Sequence, residues 1–127
     1  MSDGVTNYRD LQVWRRALDW AEAIYQATAH WPKEERFGLI SQIRRAAVSV
    51  ASNIAEGAAR RSTGEFIQFV GMARGSLAEA ETQLLLAEKL RYLSEVDARR
   101  LLLAAEEISR MLVSLSSSLV RRKNRRK

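Results

Sequence analysis

Arg121, Arg122, Lys123, Arg125, Arg126 and Lys127 put six cations into the last seven residues, out of 21 Lys and Arg in a 127-residue chain. Such a cluster attracts polyanions, and its chemistry is phosphate neutralisation with release of counterions. The plainer alternative is a solvated, frayed helix end that aids solubility. Residues 1–120 balance 15 cations against 15 Asp and Glu, so the net charge of +6 resides in this end. Other basic residues occur as the adjacent pairs Arg15–Arg16, Arg44–Arg45, Arg60–Arg61 and Arg99–Arg100. Helical neighbours point about 100° apart, which spreads each pair over two faces. Arg60 and Arg61 differ because they precede the start of an expected helix, where unpaired backbone amides also favour anions. Arginine's planar fork suits phosphate.

Other chemistry is sparse. The chain has no cysteine and one histidine, which excludes thiolate nucleophiles, disulfides and His-rich metal sites. His30 has Ala27 three residues before it, not the acid of a di-iron Glu-x-x-His pair, and reads as a solvated helix-end residue. Neither a phosphate loop nor a strand-turn-helix nucleophile elbow is present in the sequence. The expectation is a protein that is not an enzyme and takes no cofactor or metal. No apolar run approaches the roughly 20 residues needed to cross a bilayer, and Met1 to Asp10 is polar. A cytoplasmic protein with no membrane partner is expected.

Four periodic stretches must position these residues. Leu11, Trp14, Leu18, Ala21, Ile24 or Tyr25, and Thr28 predict a first helix over about Asp10 to His30, with Asp10 as its N-cap and Pro32 barring continuation. Leu39, Ile43, Ala47, Val50 and Ile54 predict a second over 36–56, closed by Gly57 in a left-handed cap. Ser62 and Glu65 have capping-box spacing and open a third over 63–90, with the seam Phe66, Val70, Ala73, Leu77, Ala80, Leu84 and Ala87. Ser94 and Asp97 repeat that signal, and Ala98, Leu101, Ala105, Ile108, Leu112, Leu115 and Leu119 carry a fourth helix over 95–121. Residues 1–9 read as an arm and 122–127 as a basic tail. Trp14 and Phe66 lie at core spacing, whereas Trp20 and Trp31 fall off the main seam. The short link from Leu90 to Ser94 predicts antiparallel neighbours, and hairpin signals and repeats are missing. The fold class predicted is all-α, an antiparallel up-down-up-down four-helix bundle.

Some surface is left over. The fourth helix carries Leu102, Leu103, Met111, Val113 and Val120 beyond its seam, and the third has a small-residue stripe, Gly71, Gly75, Ala78 and Thr82. Glycine inside a helix costs about 1 kcal/mol relative to alanine, so two of them suggest a packing reason. These surfaces predict a homo-oligomer interface. On the second helix Gln42, Ala46, Ser49, Asn53 and Glu56 form a polar stripe beside the apolar seam. A hydrogen-bond network is expected there, with Asn53 and Glu56 bonding across to another helix or subunit to fix register.

The run Gly38-Leu39-Ile40-Ser41-Gln42-Ile43-Arg44-Arg45-Ala46-Ala47-Val48-Ser49-Val50, followed by Ser52-Asn53-Ile54-Ala55-Glu56-Gly57, resembles the signature of bacterial four-helix-bundle proteins first named for open reading frames in 23S ribosomal RNA intervening sequences. Tyr8 to Trp14, Ala73 to Leu77, Glu79 and Thr82 to Leu84 support the likeness, which covers about residues 8–120. The resemblance implies assembly into a pentameric ring. Through the related accessory proteins of diversity-generating retroelements, it also implies binding of RNA or DNA and of a reverse transcriptase. In that light Asn53, Glu56 and Gly57 belong to the fold signature. The terminal cations lie outside the signature, so their role rests on charge. The function expected is binding of RNA or DNA phosphates by an oligomeric bundle, largely without sequence specificity. The alternative is a structural or protein-docking module with no direct nucleic-acid role.

Overall fold

Residues buried at three-to-four spacing mark four segments, and a computed structural model, which describes residues 7–125, shows each of them helical. They are α1 (Gln12–Thr28), α2 (Leu39–Ala58), α3 (Thr63–Lys89) and α4 (Glu95–Arg125), with 3-10 turns at Tyr8–Asp10 and Lys33–Glu35. Among the described residues there is no strand. No described helix is long and apolar enough to cross a membrane.

The seams of α2, α3 and α4 bury the apolar residues that the periodicity selects, from Ile43, Val50 and Ile54 through Leu77 and Leu84 to Leu101, Ile108 and Leu112. Such interlocking of apolar stripes is the main stabilising term of an all-helical domain. Capping follows the sequence at two starts. Ser62 Oγ accepts the Glu65 amide at 3.0 Å, and Ser94 Oγ accepts the Asp97 amide at 3.1 Å. At the end of α3 the chain turns through Arg91, whose φ is 65°. There the Tyr92 amide donates to Ala87 O at 3.0 Å and the Arg91 amide to Glu88 O at 3.0 Å. Those two bonds form a Schellman closure.

Four expectations are corrected. In α1 Ala21, Ile24 and Thr28 are buried as the spacing predicts, but Val13, Ala17 and Trp20 fill the interior beside them while Leu18 and Tyr25 are exposed. Trp20 and Trp31 are core residues at 3 % and 4 % exposure, and the Trp20 indole donates to Leu101 O on α4 at 3.0 Å. A large ring that can also satisfy its N–H wins the interior over Leu18. Second, Leu11 rather than Asp10 caps α1, without a side-chain bond. Asp10 closes the preceding 3-10 turn, which Asn7 opens by accepting the Arg9 amide at 2.9 Å.

Third, Gly57 is no left-handed cap. It lies inside α2, no glycine of the described residues has positive φ, and a Cβ added there would sit 2.7 Å from Phe69 Cβ and 2.8 Å from Phe66 Cδ1. This glycine lets α3 approach. Fourth, α4 continues through Arg125, so Arg122, Lys123 and Arg125 are helical rather than a separate tail. No Gly or Pro interrupts that stretch, and cations in a last turn offset the negative end of the helix dipole. Arg126 and Lys127, also assigned to the tail, lie outside the described residues.

Candidate nucleic-acid interface

α2 ends at Ala58, and the next four residues turn the chain into α3, with Arg60 and Arg61 exposed on that turn. α4 brings its own end to the same place. A Cβ on Gly64, in the first turn of α3, would lie 3.4 Å from Lys123 Nζ and 3.8 Å from Lys123 Cε. The α2–α3 turn that carries Arg60 and Arg61, the start of α3 and the Lys123 end of α4 therefore share one corner. The bare Gly64 backbone leaves room for the lysine stem.

The cations of this corner differ in how far they are committed. Arg60 lies 3.7 Å from Glu56 Oε2, and its guanidinium sits 4.9 Å from the Phe69 ring centre. An exposed pair of this kind contributes at most about 1 kcal/mol, so Arg60 stays available to a stronger anion. Arg61, Arg121, Lys123 and Arg125 are exposed and have no ion-pair partner among the described residues. Arg122 is half-buried, and its Nε is buried with no hydrogen-bond partner. The first turn of α3 adds partial positive charge beside Lys123. What this corner can do is neutralise phosphates at several points at once.

The other predicted residues are placed as follows. Ser49 Oγ lies 2.9 Å from Ser76 Oγ on α3. Asn53 Nδ2 donates to Ser49 O and Ser49 Oγ, both at 2.9 Å. Gln83 Nε2 donates to Gln42 Oε1 at 3.4 Å. These side chains tie α2 to α3 through two polar links. Glu56 takes no part in them: it is exposed and pairs with Arg60, one turn ahead, rather than with another helix of the same chain. Asn53 likewise bonds back along its own helix, and Ser49 makes the crossing.

Gly71 and Gly75 face open space, with nothing within 4 Å of a built Cβ. Ala78 on the same helix is exposed, and so are Leu103 and Val113 on α4. Leu102 is half-buried and packs against the core, so it serves the bundle itself. Among the described residues no group of three or more His, Cys, Asp or Glu is arranged to hold a metal ion. Sequence reasoning missed the closeness of Lys123 to α3. The one available signal was Gly64 just after the Ser62 cap, a small residue where a helix start needs none.

The 23S rRNA-intervening sequence protein model matches residues 9–114. The chain belongs to the 23S rRNA-intervening sequence protein family. The chain carries Arg60, Arg61 and Gly64 inside the matched region, whereas the cations from Arg121 onward lie beyond it. A crystal structure of a protein of unknown function from the S23 ribosomal protein family of Bacteroides thetaiotaomicron is similar in fold, with a TM-score of 0.74 and 24 % identity over 82 % of this chain and 97 % of its own. No curated protein matches this chain.

Proposed function

We propose that this family member is a non-enzymatic nucleic-acid-binding bundle that holds RNA or DNA by its phosphates, largely without reading sequence. The observation that carries the reading is the approach of Lys123 to the start of α3, which puts the end of α4 that carries Arg121, Arg122 and Arg125 beside the turn that carries Arg60 and Arg61. Multiple cations at one corner favour a ligand with repeated phosphates over a single small anion. In the same reading the four helices run alternately up and down. The pairs Ser49–Ser76 and Gln42–Gln83 between α2 and α3, and the ion pair of Arg16 with Glu107 between α1 and α4, support that arrangement.

A second reading is favoured by one observation, the open stripe at Gly71 and Gly75 next to exposed apolar side chains. Here the bundle assembles with copies of itself, in a ring of five by family likeness, and docks a protein such as a reverse transcriptase. The two readings are compatible, because a ring would multiply the basic corner by avidity.

The test is a fluorescence-anisotropy titration of a duplex DNA and a structured RNA at two salt concentrations. The parent protein should bind both and lose affinity steeply with salt. Lys123→Glu combined with Arg61→Glu should weaken binding by at least tenfold at low salt and flatten the salt slope, since each phosphate contact contributes about 0.9 to it on duplex DNA. Unchanged affinity in that variant, with its helicity intact, would overturn the reading.

A further inference from the structure

The link between the Lys33–Glu35 turn and α2 leaves Phe37 88 % exposed. A phenyl ring held in water is unfavourable, and this one borders Arg36, Arg44 and Arg45 as well as Tyr25 and Ile40. The Arg36 guanidinium sits 5.2 Å from its ring centre. Across a cleft of about 320 Å³, which Phe37 and Tyr25 both line, the Tyr25 ring carries the Arg44 guanidinium at 4.4 Å. Two exposed aromatic rings, each with an arginine over one face, thus border a single cleft.

The arginines divide the work. Arg44 is fixed, because its Nε donates to Thr28 Oγ1 at 2.8 Å and its Nη2 to Tyr25 O at 3.2 Å. It caps the end of α1 and holds the tyrosine in place. Arg36 and Arg45 also line the cleft, are exposed and have no ion-pair partner among the described residues. Of the two carboxylates in the turn, Glu34 is exposed, and Glu35 is occupied by the Leu39 amide at 3.1 Å and the Tyr92 hydroxyl at 2.8 Å.

We infer that this cleft is a stacking site for an unpaired nucleobase, with Phe37 and Tyr25 meeting the base and Arg45 its phosphate. The inference rests on the nucleic-acid reading above and adds a preference for single strands that the basic corner does not supply. An aromatic ring backed by a guanidinium stacks well on a flat π-system. An aliphatic docking partner would desolvate Arg36 and Arg45 without meeting their charge, which argues for an anionic ligand. A duplex hides its base faces, so only unpaired nucleotides can use the ring. The platform and the basic corner are separate, since the 20 residues of α2 lie between them, about 30 Å at 1.5 Å per residue.

The experiment uses an unstructured RNA strand bearing one 2-aminopurine, and the same strand annealed to its complement. Phe37→Ala should weaken single-strand binding about tenfold, leave duplex binding unchanged and restore the 2-aminopurine fluorescence that stacking quenches. Phe37→Trp should retain both affinity and quenching. The ring is exposed, so each variant should keep the parent's thermal unfolding curve. Equal single-strand affinity of Phe37→Ala and parent overturns the platform, and if Lys123→Glu still weakens both ligands, the proposed function stands. A fall in assembly mass for Phe37→Ala with unchanged strand affinity assigns the ring to a contact between copies and also overturns it. Failure of the parent to bind either ligand removes the proposed function and this site with it.

Discussion

The Tyr92 hydroxyl donates to Glu35 Oε2 at 2.8 Å and so ties the α3–α4 turn to the turn that precedes α2. The other carboxylate oxygen accepts the Leu39 amide at 3.1 Å, at the start of α2. That backbone bond, and secondarily the tyrosine, holds the Glu35 carboxyl below its ordinary 4.5. The same hydrogen bond to Glu35 pushes the Tyr92 phenol above its usual 10.0. Two loops far apart in sequence are thereby fastened by one proton.

This pair sets a pH dependence. A depressed carboxyl contributes stability that is present above the ordinary 4.5 and lost as pH falls through its lower native value. A raised phenol contributes stability that is present below 10.0 and lost as pH climbs through its higher native value. Tyr92→Phe should therefore lower the urea midpoint at neutral pH, and the gap from the parent should narrow below pH 4.5. Urea midpoints for both proteins across that range check it. A gap that stays constant into acid would remove the linkage.

Gly57 and Gly75 should respond to alanine in opposite directions. At Gly57 the new methyl would meet Phe69 Cβ at 2.7 Å. The helix-propensity gain of about 1 kcal/mol is outweighed by overpacking of about 1–3 kcal/mol. Net destabilisation of about 1 kcal/mol is expected. At Gly75 nothing lies within 4 Å, so the propensity gain should stand alone in the single chain. Thermal melts of the two variants decide this. Light scattering of Gly75→Leu adds the assembly readout, because a bulky side chain should lower the mass if another copy covers the stripe.

Arg91 adopts φ 65°, a conformation L side chains rarely take. Holding a side chain there costs about 1–2 kcal/mol, while glycine loses about 0.5–1 kcal/mol more backbone entropy on folding. Arg91→Gly should raise stability by about 0.5–1 kcal/mol, as read from the urea midpoint.

The sequence made the seams of α2, α3 and α4 legible because each offers one apolar stripe of the right period. α1 offers two overlapping stripes, Val13-Ala17-Trp20-Ile24 and Trp14-Leu18-Ala21-Tyr25, and fully buries all of the first but only Ala21 of the second. Period alone cannot choose between them, and the size and N–H of Trp20 decided. Gly57 shows the same limit, since a glycine near a helix end reads alike whether it caps or makes room. Arg60, Arg61 and Lys123 were each visible as cations, but their meeting depends on how far α4 runs. Phe37 carried no signal, because one aromatic in a turn has no period to break.

That α4 is helical through Arg125 has a thermal consequence. Cations on helical turns are attached at set intervals, so little backbone ordering entropy is lost when phosphates arrive. The last turns of a helix are also where fraying begins. Each turn that unwinds removes fixed cations from the corner, so warming would loosen a bound polyanion before the core melts. A bound polyanion would in turn keep that end wound.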